Sequence, residues 1–207
     1  AGTMEEALEH ITGAPSFGFT PGEESDDETW NILKHADSMG YTIGAGSRGG
    51  VQESTGIVEG HAYTIVSVHE VEGHKLLRLR NPWGSGEWKG DFSDSSPLWT
   101  DSLKKAVQYE DADNGMFYMT LQDFKKYYEE YSVHRYYKNW HYSYVEQKSG
   151  PKHANYYKFS VDKPCEAYFR IHQEDKRSLP TQEERDNFNY SPASFMIIKV
   201  EKNGQYK

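Results

Sequence analysis

His61 and Asn81 are the two residues of this sequence whose types and spacing best suit catalysis. His61 stands before the strand-like segment 62–68, and Asn81 follows a second such segment at 75–80. If the two segments form an antiparallel hairpin, both side chains lie at the same end of it. His61 could then act through Nε2 as a general base while Asn81 fixes the ring and its tautomer through Nδ1. By spacing alone, an ordinary polar histidine remains the alternative.

Trp83 follows closely, in the sequence Asn81-Pro82-Trp83-Gly84. Proline removes a backbone donor and glycine permits a turn, so this motif ends the second strand. We predict that the Trp83 indole shields the hydrogen bond between His61 and Asn81 from water.

The residues around these side chains carry a family resemblance. Segments 60–65 and 79–90 closely resemble the catalytic core of the calpains, which are intracellular papain-like cysteine proteases. The resemblance covers most of residues 1–131, and a more distant similarity to the β-sandwich that follows the calpain core appears near the end of the chain. The further matching segments are 6–13, 92–94 with Trp99, 114–119 with 123–124, and, for the sandwich, 173–177 and 195–200.

The resemblance implies a role for each of the three side chains. His61 would be the general base and acid, Asn81 its orienting partner, and Trp83 a neighbour of the pair at the mouth of the cleft. In a Cys-His-Asn protease, a thiolate paired with imidazolium attacks the peptide carbonyl, and His then protonates the leaving amine. The expected activity is therefore endopeptidase cleavage of protein substrates.

The nucleophile that this chemistry needs does not precede His61 in the chain. Papain-type enzymes place the cysteine roughly 130–150 residues before the histidine, whereas the single cysteine here, Cys165, follows both His61 and Asn81. We expect Cys165 to be a small buried thiol at a strand start. We also expect this chain to be a piece of a longer protein, with the nucleophile and the oxyanion-hole Gln on an upstream half that closes on this one.

Two other interpretations remain open. One is a catalytically inactive calpain-like scaffold that serves as a regulatory or interaction module. The other is an unrelated aromatic-rich β-binding module. The residue at the upstream nucleophile position distinguishes the protease from the inactive scaffold.

The resemblance also implies a calcium site built by two loops. The matching positions are Glu87, Asp94, the carbonyl near Ala112, Asn114 and Met116. Calcium prefers six to eight oxygen ligands with several carboxylates, but Asn114 and Met116 stand where the family usually has acids. We therefore expect calcium binding to be weak or absent unless a neighbouring Asp compensates.

Composition narrows the choice of partners and compartment. The formal net charge is -9 and no basic stripe is present, so a nucleic-acid partner is not expected. No apolar run approaches the ~18 residues of a membrane span, so no transmembrane segment is expected. A single cysteine fits a reducing compartment, and with the family resemblance it predicts a cytoplasmic location.

The hydrophobic periodicity predicts an α+β fold. With the family resemblance, which implies a papain-like His/Asn subdomain, we expect an antiparallel β-sheet with flanking helices at 1–131, followed by a partial β-sandwich at 132–207. The predicted helices are 4–11, one that starts at Asp27 or Thr29 and ends near Gly40, 102–109 and 121–131. The predicted strands are 41–46, 62–68, 75–80 and 116–120, with sandwich segments at 136–137, 140–142, 156–159, 167–171 and 195–200.

Overall fold

The computed structural model describes residues 2–146 and 156–198. The chain divides into two compact units, Ala1–Glu146 and Gln147–Lys207. No helix in the described part of the chain is long and apolar enough to cross a membrane. The first unit contains α1 (Met4–Thr12), β1 (Ser16–Phe19), α2 (Asp26–Ser38), β2 (Thr42–Ser47), β3 (Ala62–Val71), β4 (His74–Arg80), α3 (Asp101–Val107), β5 (Met116–Thr120), α4 (Leu121–Tyr127) and β6 (Tyr128–His134).

The six strands form one antiparallel sheet in the order β1-β6-β2-β3-β4-β5. This confirms the predicted α+β class and the predicted hairpin of β3 and β4. Glu72 and Gly73 connect the two hairpin strands, and both have positive φ, 48° and 81°. Two residues of positive φ give a turn whose twist matches the flanking strands. The hairpin therefore returns the end of β4 to the start of β3.

Helix α2 packs on one face of the sheet and supplies part of the main core. Its start is set by a capping box between Ser25 and Glu28, which satisfies two backbone donors that the helix leaves open. The helix buries Trp30, Leu33 and Ala36. The core on this face also includes Ile43, Ala45, Tyr63, Ile65, Leu77, Leu79, Phe117, Met119, Tyr131 and Val133.

The predicted helix at 121–131 is wrong in its second half. Helix α4 ends at Tyr127, and Tyr128 is already extended, with φ -111° and ψ 140°. The strand that begins there pairs with β1 on one side and β2 on the other. Hydrogen bonds to two neighbours therefore outweigh the local helical spacing of Tyr128 and Tyr131. The boundary predicted at 131/132 lies inside this strand and stays a prediction.

Strand β1 was not predicted at all. It has only four residues, Ser16–Phe19, in a segment rich in glycine and proline. Such a composition favours a loop in isolation. The strand forms because it lies along β6, with Phe17 opposite Val133 and Phe19 opposite Tyr131.

The second unit differs from the predicted β-sandwich. Within residues 156–198 the structure contains no strand, only a 3₁₀ turn at Lys176–Ser178 and a short helix, α5 (Gln182–Asn187). Residues 199 and 200 of the predicted last strand lie outside the described residues. An isolated strand has no partner for its backbone groups and is not stable alone. The Cys165 thiol is free and exposed, so the prediction that it is buried is wrong.

Candidate active site

The β3–β4 hairpin brings His61 and Asn81 together. His61 immediately precedes β3 and Asn81 immediately follows β4, and His61 Nε2 lies 3.0 Å from Asn81 Oδ1. Asn81 is fully buried, with 0% of its surface exposed, whereas His61 is half-buried. The predicted contact between the two side chains is therefore formed, and the histidine retains access to solvent.

The orientation of the Asn81 amide decides which nitrogen of His61 carries the proton. Asn81 Nδ2 donates to the carbonyl of Gly86 at 3.1 Å, and Oδ1 accepts the backbone N–H of Trp83 at 3.1 Å. Oδ1 therefore faces the imidazole, and Nε2 must donate to it. In the described part of the chain Nδ1 has no hydrogen-bond partner.

This geometry corrects the sequence analysis on one point of chemistry. Nε2 was expected to be the base and Nδ1 to be held by Asn81, but the structure places Asn81 on Nε2. In the neutral ring the lone pair then lies on Nδ1. The nitrogen that can accept a proton from another group is therefore Nδ1.

Trp83 packs against the histidine at an angle but does not shield the pair from water. The Trp83 and His61 ring centroids are 4.4 Å apart, with the planes 41° from each other. The Trp83 side chain is nevertheless 65% exposed. The indole packs against the imidazole, and main-chain groups of Trp83, Gly86 and Gly115 enclose Asn81.

Gly115 is part of this main-chain enclosure, a role that its place in the matching segment 114–119 did not predict. The Asn81 N–H donates to the carbonyl of Gly115 at 2.8 Å. Gly115 has φ +80°, and a Cβ there would lie 2.8 Å from the Asn81 carbonyl oxygen. Only glycine fits this close approach. The two residues are far apart in sequence, so the contact depends on the pairing of β4 with β5.

An acidic cluster lies beside this enclosure. Glu87 Oε1 accepts the N–H groups of Asn114 at 3.0 Å and of Gly115 at 2.7 Å. Burial, the charge of Glu87, a hydrogen bond with Glu87 and the charge of Asp111 raise the pKa of Asp94 to about 6. The predicted positions Glu87 and Asp94 therefore do converge.

The remaining predicted calcium ligands are already engaged by the protein. Asn114 Oδ1 accepts the N–H of Met116 at 2.9 Å, and the Ala112 carbonyl accepts the N–H of Asn114 at 2.8 Å. Among residues 2–146 and 156–198, no group of three or more His, Cys, Asp or Glu side chains is arranged to hold a metal ion. The converging carboxylates of Glu87 and Asp94, with the charge of Asp111 nearby, fall short of the six to eight oxygen ligands that calcium prefers.

The raised pKa of Asp94 predicts a specific pH dependence of stability. A carboxyl whose pKa is higher in the folded state than its ordinary value of 3.8 binds protons preferentially when folded. Its stabilising contribution is complete below pH 4 and is lost as the pH rises through about 6. In the parent, the free energy of unfolding should therefore fall between about pH 4 and 6, and in Asp94→Asn this fall should be smaller. Above about pH 6 we expect Asp94→Asn to be more stable than the parent.

Urea unfolding across this pH range, with a chelator present, measures the effect. Glu53→Gln, at an exposed acid in the short 3₁₀ helix Glu53–Thr55 before β3, is the control. Parallel pH profiles for the parent and Asp94→Asn would contradict the prediction.

The sheet holds a His–Asn pair of the kind that cysteine peptidases use, and comparison with known proteins specifies the class. A family model described as "Calpain family cysteine protease" matches residues 1–135, so the chain belongs to the calpain family. This confirms the predicted resemblance.

Curated relatives agree with this assignment. The chain is 40% identical over 141 residues to the calpain-type cysteine protease DEK1 of Zea mays, covering 60% of this chain and 6% of that protein. It is 34% identical over 145 residues to mouse Calpain-9, covering 64% and 21% of the two chains. It is 39% identical over 132 residues to human Calpain-14, covering 60% and 19%. The chain thus spans about a fifth or less of the length of these relatives.

Proposed function

We propose that this chain carries the His/Asn half of the catalytic core of a calpain-type endopeptidase that hydrolyses peptide bonds of protein substrates. The nucleophilic cysteine would come from a preceding half of the same core. The observation that carries the proposal is the His61–Asn81 pair, in which Nε2 is held at 3.0 Å and Nδ1 is left open.

Each residue of the pair has one chemical task in this proposal. Nδ1 of His61 accepts the proton of the thiol and later returns it to the leaving amine. Asn81 Oδ1 holds the Nε2–H, so the ring keeps the correct tautomer and the imidazolium keeps a hydrogen-bond partner. Trp83 packs on the ring and limits its rotation.

A catalytically inactive scaffold is the second candidate. The same His–Asn geometry would persist if the upstream nucleophile were replaced. The engagement of Asn114 Oδ1 and the Ala112 carbonyl by the protein itself favours divergence from a calcium-activated enzyme. The two candidates differ in the residue at the upstream nucleophile position, which is a cysteine in the protease and another residue in the scaffold.

The deciding experiment reads the coding sequence for roughly 150 residues upstream of Ala1 and assays the full-length product on casein. A cysteine at the papain-like spacing, with cleavage blocked by a thiol-alkylating reagent, supports the protease. Ser, Gly or another residue there, with no cleavage, supports the scaffold. The 207-residue chain alone should not cleave casein, because no cysteine precedes His61 in it and its one thiol, Cys165, follows both His61 and Asn81.

We also propose that any calcium site at Glu87, Asp94, Ala112 and Asn114 is weak. Asp94 and Glu87 would supply the charge, and no step of the proposed reaction passes through the ion. Isothermal titration should give a dissociation constant weaker than about 10⁻⁵ M, outside the range of calcium sensors. Submicromolar binding that Glu87→Ala abolishes would contradict this.

A cytoplasmic location remains part of the proposal. It is supported by the single, free cysteine and by the family membership of the chain. Fractionation of cells that express the full-length protein tests it, and recovery in the secreted fraction would refute it.

A further inference from the structure

Ser47 is a buried serine beside the proposed catalytic histidine that the sequence analysis did not single out. It is the last residue of β2, and only 1% of its surface is exposed. The pairing of β2 with β6 changes register between Gly46 and Ser47, so Ser47 lies at an irregular point of the sheet. The regular pairing of β2 with β3 ends one position earlier, at Gly46 and Ala62.

Ser47 makes hydrogen bonds to both main-chain polar groups of His61. The Ser47 Oγ accepts the His61 N–H at 2.9 Å, and the Ser47 N–H donates to the His61 carbonyl at 3.0 Å. The hydroxyl proton goes to the carbonyl of Val58 at 2.5 Å, the shorter of its two acceptor contacts. One side chain therefore holds His61 and the loop that leads into it.

The position of the imidazole has two independent supports. Asn81 holds the ring at Nε2, and Ser47 holds the main chain from which the ring projects. His61 lies just outside the regular strand, so without the Ser47 hydroxyl its N–H would lose the acceptor shown in the structure. If the main chain of His61 shifts, Nδ1 shifts with it. Misplacement of a reacting atom by about 1 Å can lower the rate by a factor of 10².

We propose that Ser47 is a positioning residue for His61: its hydroxyl fixes the main chain at position 61 so that Nε2 stays on Asn81 and Nδ1 faces the nucleophile. The inference concerns the site of the proposed function and rests on it for its catalytic meaning. The geometric part can be measured without activity.

The test uses the 207-residue chain labelled with ¹⁵N in its histidine rings. In the parent protein, NMR should show His61 as the Nε2–H tautomer with slow exchange of that proton with water. In Ser47→Ala, exchange of the Nε2 proton should be about tenfold faster, the factor that corresponds to weakening one hydrogen bond of ordinary strength. If this variant does not fold, Ser47→Cys, which keeps a polar atom at this position but offers a larger and weaker acceptor, should also show faster exchange.

Two controls separate positioning from a general loss of stability. Ser132→Ala removes the hydroxyl of a buried serine on β6 whose Oγ has no hydrogen-bond partner in the described part of the chain. Tyr131→Phe removes a hydrogen bond to Glu24, away from the His61 contacts, and should lower stability. Both should keep the His61 exchange rate of the parent. Equal exchange in the parent and the folded Ser47 variant, or equal acceleration in Tyr131→Phe, would overturn the proposal.

The full-length protein provides the catalytic readout. If it is active, Ser47→Ala should lower kcat about tenfold with a smaller change in KM, because the chemical step depends on the place of Nδ1. A full-length protein without a nucleophile would refute the proposed protease function and leave the NMR result on Ser47 intact. An unchanged kcat in an active enzyme would overturn the positioning role.

Discussion

Replacing His61 with Ala in the full-length protein is expected to lower kcat/KM for a peptide substrate by about 10⁴-fold or more. The reason is that Nδ1 is the one acceptor nitrogen of the ring left open by Asn81, which occupies Nε2. Without it the thiol keeps its proton and the leaving amine has no donor. Cleavage of a fluorogenic peptide, with the residual rate measured after thiol alkylation, gives the result.

The matched control is His10→Ala, at an exposed histidine in the last turn of α1. It should leave kcat/KM unchanged, because the residue has no part in the proposed site. Thermal unfolding of both variants shows whether the domain is intact. Activity of His61→Ala within tenfold of the parent, in a folded protein, would refute the role given to His61.

Replacing Tyr131 with Ala is expected to lower the free energy of unfolding by about 3–5 kcal/mol. Tyr131 is fully buried on β6 and stacks on Phe19, with ring centroids 5.0 Å apart. Its hydroxyl donates to Glu24 Oε2 at 2.7 Å. The substitution removes a large core ring and also a hydrogen-bond donor to a partly buried carboxylate. Urea unfolding at pH 7 measures the change.

Two further variants divide this effect into its parts. Tyr131→Phe keeps the ring and should cost only about 1–3 kcal/mol, because Glu24 Oε2 still accepts the Thr29 hydroxyl. Tyr144→Ala, at a tyrosine that is 93% exposed, should change the unfolding free energy by less than about 0.5 kcal/mol. A loss below about 1 kcal/mol for Tyr131→Ala would contradict the fully buried position of the Tyr131 ring in the core.

Local patterns were sufficient for most elements of the first unit. The alternation of charged and apolar residues at 75–80 predicted β4, and the predicted start of α2 at Asp27 or Thr29 lies one to three residues after the observed start at Asp26. Because a hairpin returns the chain to its starting end, this local reading also placed His61 beside Asn81. Proximity of the pair therefore followed from short-range physics.

Local patterns failed where the same residue spacing is compatible with both a helix and a strand. The spacing of Leu121, Phe124, Tyr128 and Tyr131 suits one face of a helix, yet Tyr128 and Tyr131 belong to a strand. The segment is extended because β1 and β2 supply hydrogen bonds on both of its sides. The strands expected in the second unit within the described residues 156–198 have no such neighbours, and none forms there.

The sequence by itself determined the family, the hairpin and the identity of the His–Asn pair, because these depend on residue types and on contacts between neighbouring elements. The tertiary structure decided which imidazole nitrogen is held. That choice depends on the Gly86 carbonyl and the Trp83 N–H, which fix the direction of the Asn81 amide. It also decided the roles of Ser47 and Gly115, whose contacts join segments far apart in the chain. Residue spacing carries no information about the direction of a hydrogen bond, and only the packed backbone supplies it.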